Sequence, residues 1–221
     1  MTDDDIPSDS SCGDNMVVGT KDLNACTSGH DNTVVGEPLT EFVTSDPYLL
    51  KVLEVAAAEN GVREDPALGQ NRGARVDEYI RSTHLDPAGN PPHGYPWCAC
   101  FVYWCFARAA DILGQSNPCW RTASVLVHWD KTSGRKIFAA DVGRDHSLVL
   151  PGMIFCKSYN HESHTGIVCQ VADSGIVTIE GNTNVAGSRE GDSVEAGKLR
   201  PWDYVKLGFI DYTGMSRRVS T

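Results

Sequence analysis

Long apolar runs, a basic stripe and regular cysteine spacing are all missing from this chain of 221 residues. A membrane-spanning helix needs about 18 or more consecutive apolar residues. The richest stretch, Trp97 to Ile112, is broken by Arg108 and Asp111, so no membrane insertion is expected. Lys and Arg number 19 against 29 Asp and Glu, giving a formal net charge of -10. With no basic row to neutralise phosphates, nucleic acid is disfavoured as a partner. The opening MTDDDIPSDSS has neither the positive n-region nor the apolar h-region of a secretory signal. Synthesis in the cytoplasm without a classical signal peptide is therefore the expectation. Eight cysteines are present, but without the spacing of small stapled domains, and most are expected to be reduced, buried fillers. Cys98-x-Cys100 and His161-x-x-His164 depart from the usual zinc knuckles, so no structural metal is expected.

What remains is an ordinary soluble composition, 41% hydrophobic and 22% charged, of a length that suits one domain plus a tail. The acidity is uneven. Nine of the acids precede residue 46, against Lys21 alone, and this Asp/Ser/Thr/Gly-rich stretch lacks a sustained apolar period. Residues 1–43 are read as a disordered acidic leader, 44–214 as a single folded domain, and the basic 215–221 as a frayed tail.

Helix signals come first. Asp46 as N-cap, Pro47 at the first turn and Gly61 beyond the end predict a helix over 47–60. Val76, Tyr79 and Ile80 at helical spacing predict a second over 71–81. After the proline loop DPAGNPPHGYP, the breaker-free stretch from Cys98 to Leu113, stopped by Gly114, predicts a buried third helix. Strand signals follow at 153–156, 165–171, 176–180 and 205–210. The insert 117–150 shows no pattern. Helices first and strands second, with short links, imply an α+β fold in which N-terminal helices pack on an antiparallel β-sheet.

Cys98 falls at the start of the third helix, where free backbone amides and the positive end of the dipole stabilise a thiolate and could cradle an oxyanion. At about 100° per residue, Cys100 projects roughly 160° away, while Cys105 returns to the same side but roughly 10 Å further along the axis. Neither reaches Cys98. A thiolate nucleophile needs a base, and the base needs a group to hold its tautomer. His164 opens one strand signal, and Glu180 and Asn182 lie two residues apart at the end of the next, hence on one face. Pairing Ala172 with Ile176 across Asp173-Ser174-Gly175, with Gly175 in the left-handed position, puts His164, Glu180 and Asn182 on a common face. A two-residue loop would split them.

The segments PWCACFVYW (Pro96 to Trp104), HTGIV (His164 to Val168), IEGNTN (Ile179 to Asn184) and, upstream, GQNRGARVDEYI (Gly69 to Ile80) together resemble the CHAP family. These are cysteine, histidine-dependent amidohydrolases/peptidases of papain-like type that cut bacterial cell-wall peptide. The resemblance implies a papain-like fold and a peptidoglycan amidase or endopeptidase working through a thioacyl intermediate. Cys98 would be the nucleophile, His164 the base and acid, Glu180 its orienter and Asn182 a further polar support. Every role is filled by a side chain or a backbone N–H, so no cofactor is implied. Action on the wall without an export signal would call for delivery by a phage or secretion system, and an immunity protein is a possible partner. The rival readings are a cysteine amidohydrolase or transferase on a non-wall amide, and a catalytically silent wall-binding module. Cys100, Cys105 and the 117–150 insert depart from the family pattern. His161 and His93 read as loop residues, and Trp97 and Trp104 as core aromatics.

Overall fold

The computed structural model describes residues 42–85, 94–159, 162–184 and 191–219. The expected leader, apart from its last two residues, lies outside them, as do His93 and His161.

Helix α1, Pro47–Ala58, starts where its cap dictates: the Asp46 carboxylate accepts from the amides of Tyr48 and Leu49 at 2.8 and 3.2 Å. Its apolar stripe, including Leu49, Val52 and Leu53, is buried, and the Tyr48 hydroxyl donates to the Phe106 carbonyl at 2.7 Å. Helix α2, Ala74–Ser82, begins three residues later than the spacing predicts. Asn71 is in the left-handed region at φ 56° and Gly73 is at φ 152°, so the chain cannot enter a helix before Ala74. Helix α3, Cys98–Leu113, is bounded as expected, with Gly114 in the left-handed conformation that ends it.

A six-stranded antiparallel sheet completes the α+β fold, in the order β1-β6-β2-β3-β4-β5. The strands are β1 Arg135–Phe138, β2 Ile154–Tyr159, β3 Glu162–Ala172, β4 Gly175–Thr183, β5 Ser193–Pro201 and β6 Gly208–Asp211. One face, with Ile154, Cys156, Ile167, Ile179 and Ile210, joins the helical core. The other, with Phe155, Val168, Ile176 and Phe209, packs with the region around β1 and a short helix α5, Ala139–Val142. The patternless insert folds into helix α4, Val125–Lys131, then β1 and α5. Each is too short for its period to register in the sequence.

The β3–β4 hairpin departs from expectation. Ala172 pairs with Gly175, so the loop has two residues, Asp173 and Ser174, and Gly175 belongs to the ladder. That register alone would put His164 and Glu180 on opposite faces. A β-bulge restores them: the ladder steps from Gln170↔Val177 to Val168↔Thr178, leaving Cys169 as the extra residue. For His164 and Glu180 the expected common face is achieved through a different device; Asn182, at φ 57° where the β4–β5 register shifts, is not placed on it by strand alternation.

The C-terminal stretch, expected to fray, is held against the end of α3. Ser116 N–H donates to the Arg217 carbonyl at 2.7 Å and Val219 N–H to the Gly114 carbonyl at 3.2 Å. The chain leaving Gly114 has open backbone groups, and residues 217–219 satisfy them.

Candidate active site

Cys98 occupies the first position of α3. The first intrahelical bond runs from Phe101 N–H to the Trp97 carbonyl, and no side chain caps this end. The amides of Cys98, Ala99 and Cys100 therefore precede the intrahelical ladder, with the positive end of the dipole behind them. Trp97 is fully buried, its indole N–H donating to Glu64 at 2.9 Å, which pins the helix start. The fit against β4 depends on Gly181: a Cβ there would come within 2.6 Å of the Trp97 ring and 2.7 Å of Phe101. Only a bare backbone lets α3 approach the strand so closely.

His164 and Glu180 are both essentially inaccessible, at 1% and 0% exposure, and Nε2–H of His164 donates to Oε2 of Glu180 at 2.8 Å. They share the sheet face that carries Phe155, whose ring lies 6.0 Å from the imidazole. The other ring nitrogen, Nδ1, is buried without a hydrogen bond of ordinary geometry, and is the nitrogen left to meet the thiol. Burial opposes the imidazolium, but the interactions with Cys98 and then Glu180 outweigh it and lift the His164 pKa to about 9. Cys98 itself is 5% exposed. Asn182, buried at the end of β4, takes φ 57°, a left-handed conformation that asparagine tolerates better than most residues.

Three residues absent from the sequence reading complete the surroundings. Arg200, on β5, grips Glu180 with both arms: Nε donates to Oε1 at 2.7 Å and Nη2 to Oε2 at 2.5 Å. The Thr178 hydroxyl donates to the same Oε1 at 2.5 Å. The Tyr204 ring stacks 4.3 Å from the Arg200 guanidinium. Burial would raise the Glu180 pKa, but the bonds from Arg200 and His164 hold it well below the usual carboxylate range. Thr178 was legible in principle, since it lies two residues before Glu180. Arg200 was not, because β5 is a polar strand around Gly197 with no β-branched run.

The remaining described thiols are elsewhere. Cys100 faces α2, with its sulfur 3.6 Å from Thr83 Oγ1, and burial pushes its pKa up to about 12. Burial likewise raises Cys156 and Cys169 to about 12, and Cys105 and Cys119 well above the ordinary thiol value. A second Cys–His pair exists, Cys119 with His128 at 3.7 Å. Burial lowers that histidine to about 4, and its Nε2 is also engaged by Tyr212 at 2.9 Å. It is neutral core packing. Among the described residues no three His, Cys, Asp or Glu side chains converge as a metal site, and no helix is long and apolar enough to cross a membrane.

The family model described as CHAP domain matches residues 90–182, a stretch that includes Cys98, His164, Glu180 and Asn182 and ends before Arg200. No curated protein and no solved structure gives a match. A thiol at a bare helix start, set beside a histidine that a buried carboxylate holds by its far nitrogen, is the equipment of an amidase or peptidase-type hydrolase. The match over residues 90–182 thus supports the resemblance to the CHAP family on the segment that carries the thiol, the histidine and the carboxylate.

Proposed function

We propose that this protein is a peptidoglycan amidase or endopeptidase with Cys98 as nucleophile. The observation that carries the reading is the ordering of the histidine: Nε2 is committed to Glu180, which leaves Nδ1 for the thiol. A papain-like order of groups follows. The Cys98 thiolate attacks the amide carbonyl, forming the C–S bond, and the oxyanion is held by the amides at the start of α3. Donors of this kind are worth about 100- to 1,000-fold in kcat. The imidazolium of His164 then gives its Nδ1 proton to the leaving nitrogen as the C–N bond breaks, leaving a thioacyl enzyme. Neutral His164 next takes a proton from water, whose hydroxide displaces the thiolate and releases the acid. Glu180 keeps the ring in place throughout, and Asn182 adds polar support at the end of β4. The bacterial wall as substrate rests on the family match, since family members of this type commonly act on peptidoglycan.

The test is digestion of purified peptidoglycan by the full chain, followed by mass spectrometry. A new amino terminus that appears with wild type and is absent with Cys98→Ala supports the reading and names the bond. No product from the wall, with turnover of a non-wall amide, would move the substrate elsewhere. Binding to insoluble wall without turnover by either protein would favour a binding module.

A further inference from the structure

The catalytic set contains more buried negative charge than one histidine can balance. If Cys98 is to act as a thiolate beside an ionised Glu180, two anions share the His164 imidazolium among side chains that are almost wholly buried. Burying an uncompensated charge is strongly unfavourable even after relaxation. We infer that Arg200 is a positioning residue that serves as the dedicated counter-ion of Glu180, leaving the His164 imidazolium to balance the Cys98 thiolate. This rests on the catalytic assignment proposed above.

The geometry supports that division in detail. A carboxylate offers about four lone-pair sites, and all are taken: Oε1 accepts from Thr178 and from Nε of Arg200, while Oε2 accepts from Nη2 of Arg200 and Nε2 of His164. The fork of the guanidinium meets both oxygens at once, which a lysine ammonium does only as a point charge. Arg200 is itself fixed. It is buried, and its guanidinium lies against the Tyr204 ring, on which the Lys157 ammonium also rests at 4.6 Å. A side chain held on both its polar and its flat surface cannot leave Glu180 without cost. The four charges of thiolate, imidazolium, carboxylate and guanidinium then sum to zero, and removing Arg200 alone breaks that balance. Glu180 would then either take up a proton or draw the imidazolium away from the thiolate.

Limited iodoacetamide labelling at pH 6, with peptide mapping of Cys98, reads the thiolate without requiring any wall substrate. In folded Arg200→Gln, Cys98 should alkylate at least about tenfold more slowly than in wild type, the size expected for a buried pair that has lost its counter-charge. Combining Arg200→Gln with Glu180→Gln removes both charges and should bring the rate back to within about threefold of wild type, a non-additivity that a merely structural arginine would not show. Arg200→Lys keeps the charge and should stay in the same range. On the wall substrate, Arg200→Gln should lower kcat with KM nearly unchanged. A folded Arg200→Gln that alkylates at the wild-type rate, or a double variant as slow as about a tenth of wild type, overturns the inference. Should Arg200→Gln fail to fold, the double variant and Arg200→Lys decide the question by the same limits. Slow labelling of Cys98 in wild type would instead remove the nucleophile assignment, so the two failures are distinguishable.

Discussion

The side chain of Glu180 crosses directly over Gly166: a Cβ at Gly166 would lie 2.7 Å from Glu180 Cγ, 2.8 Å from the Ile179 carbonyl oxygen and 2.8 Å from the Phe155 ring. Gly166 is two residues from His164 on β3, so the carboxylate reaches its histidine across the one place on the strand with nothing in the way. Gly166→Ala should cost about 1–3 kcal/mol, because one of the clashing atoms is backbone and cannot swing aside. Thermal melting should show a clear fall in Tm, and kcat should fall with it. A variant with wild-type Tm and kcat would mean that the close approach has no consequence.

The three principal side chains should lose activity unequally. Cys98→Ala and His164→Ala remove groups that make bonds or carry protons and should abolish turnover, whereas Glu180→Gln should leave a measurable kcat because an orienter only holds the ring. Its larger effect falls on stability. It strands the buried Arg200 guanidinium, a change typically worth about 3–5 kcal/mol. Kinetics and chemical denaturation on the same preparations check both statements, and equal kinetic losses in all three would contradict the division of roles.

Stability should depend on pH through His164 and Glu180 in opposite senses. The His164 pKa is raised from its ordinary 6.5 to about 9. Its contribution is therefore complete below about pH 6.5 and is lost as the pH rises through about 9. Glu180 is lowered from its ordinary 4.5, so its contribution is complete above about pH 4.5 and is lost as the pH falls below that. The urea midpoint should be greatest between these limits. His164→Gln should flatten the alkaline limb, and an alkaline limb unchanged in that variant would assign it to other groups.

Among the described cysteines, Cys98 should be alkylated first at pH 6. Cys100, Cys156 and Cys169 are pushed up to about 12 by burial, and Cys105 and Cys119 are raised as well. Cys98 alone stands at a helix start beside a histidine. Peptide mapping after limited iodoacetamide treatment reads the order, and labelling of Cys98 after any of the other five would contradict it.

The parts of this molecule that were legible in its sequence are those governed by local rules. Asp46 and Pro47 announce α1, Gly114 ends α3, and a cysteine between a proline loop and a breaker-free apolar run marks a helix start. The pairing of His164 with Glu180 was named correctly by strand periodicity and the family resemblance, but through a three-residue turn that the structure replaces with a two-residue turn and a bulge. Arg200 escaped because its importance lies in a contact across neighbouring strands, and a lone arginine in a polar strand carries no local signature. Asn71 and Gly73 delayed α2 through backbone angles that apolar spacing does not encode. The bulge at Cys169 escaped for the same reason as Arg200, since only the partner strand reveals the extra residue.

That bulge makes the hairpin behave as a parity code. The two-residue turn and the extra residue at Cys169 are two odd steps that cancel, so neither can be altered alone without rotating His164 to the wrong side of the sheet. A replacement turn longer by two residues preserves the site, and one longer by a single residue does so only if Cys169 is deleted with it. Length variation in the Asp173–Ser174 turn is therefore constrained by a chemical group several residues away, although the turn itself touches none of the reacting atoms.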